Sequence, residues 1–533
     1  MKKQLYYISI LLLIAPLCLA QTTTELWKQV ELRFESKGCY GNPFLEVELF
    51  AEFTSKTGKI IKRPAFWDGG NLWKIRFAPT QLGIWKYKLS GKSLEDFPEK
   101  KSGYINAVKY KGNLPTYKNG FLKISKNKRS LSYANGKPFF YLADTHWFLP
   151  LEKWDECNEP DCKSQFKFMV DYRSKQGFTV YQTQTNGIKL VEDSVTSVDI
   201  KAFQDIDRKF DYIASKGLVI NTSIGSAHNF ALVLGIKGAE RLANYWVARY
   251  GAYPLLWMTG QEIDLDKHKY LEVWKAAANT LCKNDDYHHP LSAHLWDNSN
   301  PQLLNNEKWH AFHMIQGGHI IWGGGTQTKD FYKKFYTANP IKPILECEAN
   351  YEGLGKDKKC TTGDIRNAAY KSILCGSFGF GYGVQGIWQN CITSSDCGCC
   401  KEWGILTWYE GLKMDGGAQM SFLYNFFTSI KWTKLVPRFD EYTWIEIDCE
   451  NTKEREKAVL ATISNDQYFL YLYSDKELPV RLKNLNPDKR YKAKWVNPRN
   501  GKYININLSP GIGSISWAIP PKPSKEDYIL ILS

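Results

Sequence analysis

Between Asn119 and Pro437 the chain repeats one rhythm eight times: a short apolar run that reads as a buried strand, then a helix or a connection. Strands covered on both faces read as continuous apolar runs, and parallel strands joined by helical crossovers are the arrangement that covers them. The runs are Pro138–Ala143, Phe178–Thr183, Leu218–Ser223, Pro254–Thr259, Leu291–His294, Ala311–Ile315, Pro343–Leu345 and Gly379–Tyr382. Helices are predicted over 165–176, 200–215, 239–250, 270–283, 330–336, 365–375 and 421–430, with only a short connection after the fifth run. Eight such units predict an α/β fold closed as a (β/α)8 TIM barrel. A doubly wound open sheet competes, but no Gly-x-Gly-x-x-Gly opens a helix after the first strand.

Both flanks change rhythm. Short alternating segments such as Leu45–Phe53, Lys59–Phe66, Trp73–Phe77 and Trp85–Leu89 predict an Ig-like β-sandwich before the barrel. Ala458–Ile463, Tyr468–Tyr473 and Tyr528–Leu532 predict a second β-sandwich after it. The expected organisation is a signal peptide over 1–20, an N-terminal sandwich over 21–116, the barrel over 117–437 and a C-terminal sandwich over 438–533. A chain of 533 residues suits two or three separate cores.

Lys2 and Lys3 precede the apolar run Ile8–Leu19, which ends at Cys18-Leu19-Ala20 before Gln21. That run is too short to span a membrane and has the pattern of a cleaved secretory signal, so the expected location is secreted or periplasmic. A lipoprotein reading would acylate Cys18, but bulky Leu17 stands where such a signal has a small residue. Export favours disulfides over free thiols. Of 13 cysteines, 12 remain after Cys18, with Cys391, Cys397, Cys399 and Cys400 crowded in one stretch and Cys157 and Cys162 in another. Disulfide staples are expected there. A zinc site lacks the paired C-x-x-C spacing and a nearby His, so no metal is expected. The net charge of +15 is spread along the chain, without a Lys/Arg block interleaved with aromatics, and nucleic acid is not an expected partner. A basic surface suits an acidic polysaccharide, but charge alone does not select one.

In a barrel, the loops after the strands converge at one end, and functional side chains collect there. The strand ends carry Asp144 and Trp147, Gln182, Glu262, His294, Gln316 and His319, Glu346 and Glu348, and then Trp388. Two carboxyl groups on separate strands are what cleavage of a glycosidic bond needs: one as acid and base, the other, in a retaining enzyme, as nucleophile about 5 Å away. Trp147 and Trp388 offer flat apolar surfaces to a sugar ring, and Asp144, Gln182, His294, Gln316 and His319 offer hydrogen bonds to its hydroxyls. Tyr351 is placed to hold the charge of the nucleophile. No cofactor is required. Structural roles compete at several positions: Asp144 as a cap, the histidines as satisfied core residues, the tryptophans as core aromatics. Glu346 competes with Glu348, because residues two apart on a strand share a face. Asp264 and Asp266 read as solvated loop charges.

The words Gly136-Lys137-Pro138-Phe139-Phe140-Tyr141-Leu142-Ala143-Asp144-Thr145-His146-Trp147, Met314-Ile315-Gln316-Gly317-Gly318-His319 and Tyr351-Glu352-Gly353 resemble secreted bacterial glycosidases of the apiosidase-like kind, related to glycoside hydrolase family 140. Arg249-Tyr250, Arg366–Tyr370 and Gly386-Ile387-Trp388-Gln389 extend the resemblance across about Gly120 to Pro437. Phe66-Trp67-Asp68-Gly69 and Arg76-Phe77-Ala78-Pro79 resemble the β-sandwich that often precedes this barrel. The resemblance implies Glu262 as acid/base and Glu348, rather than Glu346, as nucleophile. It also implies a difference: such apiosidases are expected to carry Asp where this chain has Glu262, which bears on apiose specificity. The expectation is an exported glycoside hydrolase acting with retention on a plant or algal polysaccharide. An inverting hydrolase or polysaccharide lyase, and a non-catalytic carbohydrate-binding barrel, are the alternatives.

Overall fold

The computed structural model describes residues 22–99, 101–160, 162–225, 227–265, 269–296, 300–319 and 327–533. The expected signal peptide lies outside the described residues. Eight parallel strands form the central sheet: β1 (Tyr141–His146), β2 (Val180–Thr183), β3 (Val219–Ser223), β4 (Leu255–Met258), β5 (Leu291–Ser292), β6 (His313–Ile315), β7 (Ile344–Glu346) and β8 (Ser377–Val384). Their order is β5-β4-β3-β2-β1-β8-β7-β6, and isolated bridges from Leu291 to His310 and from His294 to Met314 close the seam. The fold is the expected (β/α)8 barrel.

The alternation along each strand explains the continuous apolar runs. Val180, Val219, Leu256, Met258 and Leu345 pack in the inner core. Tyr181, Ile220, Leu255 and Trp257 belong to the outer core. Helices α1 (Gln165–Lys175), α2 (Ile200–Ser215), α3 (Ala227–Tyr250), α4 (Leu271–Asn284), α5 (Lys329–Tyr336), α6 (Thr362–Leu374) and α7 (Asp415–Ser429) cover the barrel. Ser164, Asp199 and Thr328 cap α1, α2 and α5 with side-chain oxygens, satisfying amides that a helix start leaves open.

Several boundaries differ from the sequence pattern, and three of them have a clear local reason. The first strand begins at Tyr141 because Pro138–Phe139 pairs instead in a small sheet with Leu131–Tyr133 and Leu122–Ile124. Helix α3 extends upstream of residue 239 through a break at Gly235, whose φ is 56°. Helix α7 begins earlier than predicted, at Asp415, because Gly416 and Gly417, weak helix formers, are needed for close packing. The amide of Gly416 donates to Glu352 at 3.0 Å, and a β-carbon there would overlap the carboxylate.

The N-terminal module is two packed sheets of five and three strands around Phe53, Phe77, Trp73 and Trp85, with Phe53 and Phe77 stacked at 3.9 Å. It is fastened to the barrel by a buried ionic network. Asp207 of α2 accepts two bonds from Arg76, at 3.0 and 2.6 Å, and two from Arg249, at 2.9 and 2.7 Å. Arg249 also reaches Asp68 at 2.8 Å, and Lys74 pairs with Asp68 at 2.6 Å. The C-terminal module has sheets of six and three strands. Arg366 of α6 grips its Asp527 at 3.0 and 2.8 Å, and Tyr370 stacks on Tyr471 at 5.1 Å.

Candidate active site

A cleft of about 470 Å³ opens at the C-terminal ends of the strands, lined by residues that include Trp147, Glu262, Gln316, His319, Glu348, Tyr351 and Trp388. Glu262 follows β4 with a φ of 55°, a left-handed conformation uncommon outside glycine. Gln316 donates its amide to Glu262 at 3.3 Å, and Ile263 N bonds the His294 carbonyl at 3.2 Å, tying the β4 loop to its neighbour.

Glu348 stands two residues beyond β7, where the regular strand has ended. His294 Nε2 lies 3.0 Å from one of its oxygens and His319 Nε2 3.3 Å from the other. Tyr351 faces the same carboxylate, and Trp147 Nε1 donates to the Tyr351 hydroxyl at 2.9 Å. The ring of Trp147 meets His294 edge-on at 5.9 Å. His294 is wholly buried and does not line the cleft; it stands behind Glu348 and Trp147.

The two carboxyl groups are pushed in opposite directions. Burial raises Glu262 to about 7, and the charge of Glu348 adds to that rise. Burial alone would raise Glu348 as well, but His294 and His319 outweigh it and bring the group down to about 2. His294 is itself held well above its ordinary value: burial opposes its charge, but the sulfur of Cys347 and the carboxylate of Glu348 outweigh it. Near neutral pH the site therefore holds one proton-bearing and one ionised carboxyl. Pairs separated in this way are the arrangement that divides acid and anionic roles between like groups.

Asp144 and Gln182 are not in the cleft. Asp144 is buried behind it, accepting from Arg173 Nε at 2.6 Å with His146 at 3.3 Å. Gln182 lies inside the barrel, where it accepts from the Tyr141 hydroxyl at 2.7 Å and donates to the Cys347 carbonyl at 3.0 Å. It thus braces the backbone one residue before Glu348. Alternation would set Glu346 and Glu348 on one face; the end of β7 separates them. Glu346 points outward, accepting from Tyr332 at 2.7 Å and from Gly317 N at 2.9 Å, beneath the loop that carries His319. Asp264 is not a solvated charge: it is buried and accepts from Trp296 N at 2.7 Å. Asp266 lies outside the described residues.

The cleft also has lining that the sequence pattern does not single out. Gln184 and Asn186 sit two and four positions past Gln182, and Gln261 directly precedes Glu262, so scanning further along each strand end finds them. Trp296, Cys399, Cys400 and Trp403 come from long connections without periodicity. Disulfides join Cys157 to Cys162, Cys391 to Cys397, and Cys399 to Cys400, while Cys39, Cys282, Cys347, Cys360, Cys375 and Cys449 are unpaired. Among the described residues no cluster of His, Cys, Asp or Glu is arranged to hold a metal, and no helix is long and apolar enough to cross a membrane.

A ring of parallel strands with carboxyl groups at its C-terminal mouth defines the class: a barrel of the glycoside hydrolase type. Residues 125–434 match the apiosidase-like catalytic domain, and the chain belongs to that family. Residues 23–92 match a domain of unknown function, and residues 446–533 a putative collagen-binding domain of a collagenase. No curated protein matches the chain. Among solved structures, a putative glycoside hydrolase from Bacteroides vulgatus is 17% identical with a TM-score of 0.72, covering 96% of this chain and 100% of its own. A glycoside hydrolase family 5 protein from the same organism is 22% identical with a TM-score of 0.65, covering 80% and 95%. A further glycoside hydrolase is 23% identical with a TM-score of 0.64, covering 79% and 98%. These likenesses establish the fold.

Proposed function

We propose that the protein is an exported glycoside hydrolase that cleaves a plant or algal polysaccharide with retention of configuration. Glu262 protonates the departing oxygen and then draws a proton from water; Glu348 attacks the anomeric carbon and forms a glycosyl ester that the water releases. The observation that carries this reading is geometric: Glu262 and Glu348 face one cleft at the C-terminal ends of the strands, with Glu348 set between His294 Nε2 at 3.0 Å and His319 Nε2 at 3.3 Å. In keeping with it, Glu262 is raised to about 7 and Glu348 lowered to about 2. A general acid works best with a pKa close to the operating pH, and a nucleophile must be unprotonated there. The imidazoles of His294 and His319 hold Glu348 in that state, and the Tyr351 hydroxyl orients it. Gln316, bonded to Glu262, and the polar side chains of Gln184, Asn186 and Gln261 supply hydrogen bonds to sugar hydroxyls, while Trp147 and Trp388 supply ring contact.

The test is a screen of plant and algal polysaccharides for released sugar, followed by proton NMR of the newly formed reducing end. Retention in the first product, together with loss of turnover in Glu348→Ala, is the expected result. Unsaturated products would identify a lyase, first-formed product of inverted configuration would identify single displacement, and binding without cleavage across the panel would remove the enzymatic reading.

A further inference from the structure

We propose that the Cys399–Cys400 disulfide is itself a substrate-binding surface, forming with Trp403 an apolar wall that receives the C–H face of a sugar ring. This rests on the glycoside hydrolase reading and specifies one side of its cleft. The two cysteines are adjacent in the chain, are bonded to each other, and both line the cleft that contains Glu262 and Glu348. Of the three disulfides among the described residues, the other two have neither cysteine in that lining.

A bridge between neighbours closes almost no chain, and the entropic stabilisation from a disulfide grows with the length of the loop it closes. Global stability is therefore a poor reason for this one. Its surroundings indicate positioning instead. Gln389, wholly buried, donates its amide to the carbonyls of Cys399 at 3.0 Å and Cys400 at 2.8 Å, fixing the orientation of both peptide units. Gly398 lets the turn lie against Phe148, where a β-carbon would come within 2.7 Å of the ring. Cys400 adopts a left-handed φ of 60°, and its carbonyl accepts from Trp403 N at 3.0 Å. The ring of Trp403 stacks on Trp388 at 5.7 Å and 24°, and Trp388 meets Tyr351, beside Glu348, also at 5.7 Å. A series of rings thus leads from Tyr351, beside Glu348, through Trp388 to Trp403, whose backbone is bonded to the turn that carries the two cysteines.

The chemistry suits a sugar's apolar face. A disulfide is polarisable and carries no donor hydrogen, whereas two thiols or two hydroxyls would present donors and release the turn. Dithiothreitol opens the bridge by thiolate attack through a mixed disulfide; two cysteine thiols form and the reagent leaves as its cyclic disulfide.

The test compares wild type, wild type treated with dithiothreitol, and the Cys399→Ser/Cys400→Ser variant on the glycan that the wild type cleaves. Expected is a KM about tenfold higher in both altered forms with kcat within about twofold, the size of change that loss of a small apolar contact gives. Trp403→Ala is expected to raise KM in the same direction. The double variant is expected to show no further response to dithiothreitol, which separates this bridge from the other two. Equal KM in oxidised and reduced wild type, both with unchanged melting temperature, overturns the proposal while leaving the hydrolase reading intact. A wild type that binds glycan without cleaving it overturns the hydrolase reading, and the ratio of Kd values then decides the wall. A wild type that does neither overturns both.

Discussion

Replacing Glu262 with Gln is expected to stabilise the protein above neutral pH and to leave its stability nearly unchanged below pH 4.5. Glutamine has the shape of the protonated carboxyl, so the comparison isolates the ionised form. In the native protein burial and the charge of Glu348 raise Glu262 from 4.5 to about 7. Between those values the folded state binds more protons at this position than the unfolded state, so wild-type stability falls as pH rises through the interval. Carrying a carboxyl from 4.5 to about 7 corresponds to about 3 kcal/mol at full strength. Water at the cleft mouth screens part of it, and the expected gain for the variant at pH 8 is about 1–2 kcal/mol. Urea unfolding of wild type and Glu262→Gln at pH 4, 6 and 8, scored on the barrel transition, measures the difference. An advantage independent of pH, or a variant destabilised at every pH, would refute the reasoning that the native site holds this proton.

The same ionisations set the rate profile: kcat/KM is expected to hold a plateau between about 2 and about 7 and to fall tenfold per pH unit above it. A plateau extending to pH 9 on a native glycan would contradict the assignment of Glu262 as the acid. His294→Gln keeps a donor near Glu348 but removes the imidazolium 3.0 Å from it, so the acid limb is expected to move upward from about 2 while kcat/KM falls; an unmoved acid limb would show that His294 does not hold the nucleophile ionised. Asp207→Asn leaves the guanidinium groups of Arg76 and Arg249 buried together without their shared anion, and denaturation is expected to show a loss of about 3–5 kcal/mol. A loss below about 1 kcal/mol would mean that Asp207 adds little to the junction and that the remaining contacts, Arg249 with Asp68 among them, hold the sandwich to the barrel.

The barrel was legible because each strand is apolar on both faces and each helix follows at crossover distance. Strand ends were less legible where a second sheet captured residues, as at Pro138–Phe139, or where glycines disguised a helix start, as at Gly416 and Gly417. The sequence words that resemble the family divide in the structure. Asp68, Arg76, Arg249 and Arg366 join modules to one another, whereas Trp147, Gln316, His319, Tyr351 and Trp388 meet in the cleft. Residue type at a strand end cannot distinguish these uses. Asp144 and Gln182 stand at strand ends yet are committed to Arg173 and to the Cys347 carbonyl, partners far away in sequence. The separation of Glu348 from Glu346 depends on where β7 stops, and the cleft wall at Cys399, Cys400 and Trp403 lies in a connection whose course no periodicity prescribes.

The most direct measurement is peptide mass spectrometry of the enzyme inactivated by a 2-deoxy-2-fluoroglycosyl fluoride of the sugar it releases, a reagent that traps a glycosyl ester on a retaining nucleophile. One adduct per chain, on the peptide containing Glu348, with Glu346 and Glu262 unmodified, is the predicted result. An adduct on Glu262 or Glu346, or turnover of the native glycan with no adduct and inverted product, would contradict the account.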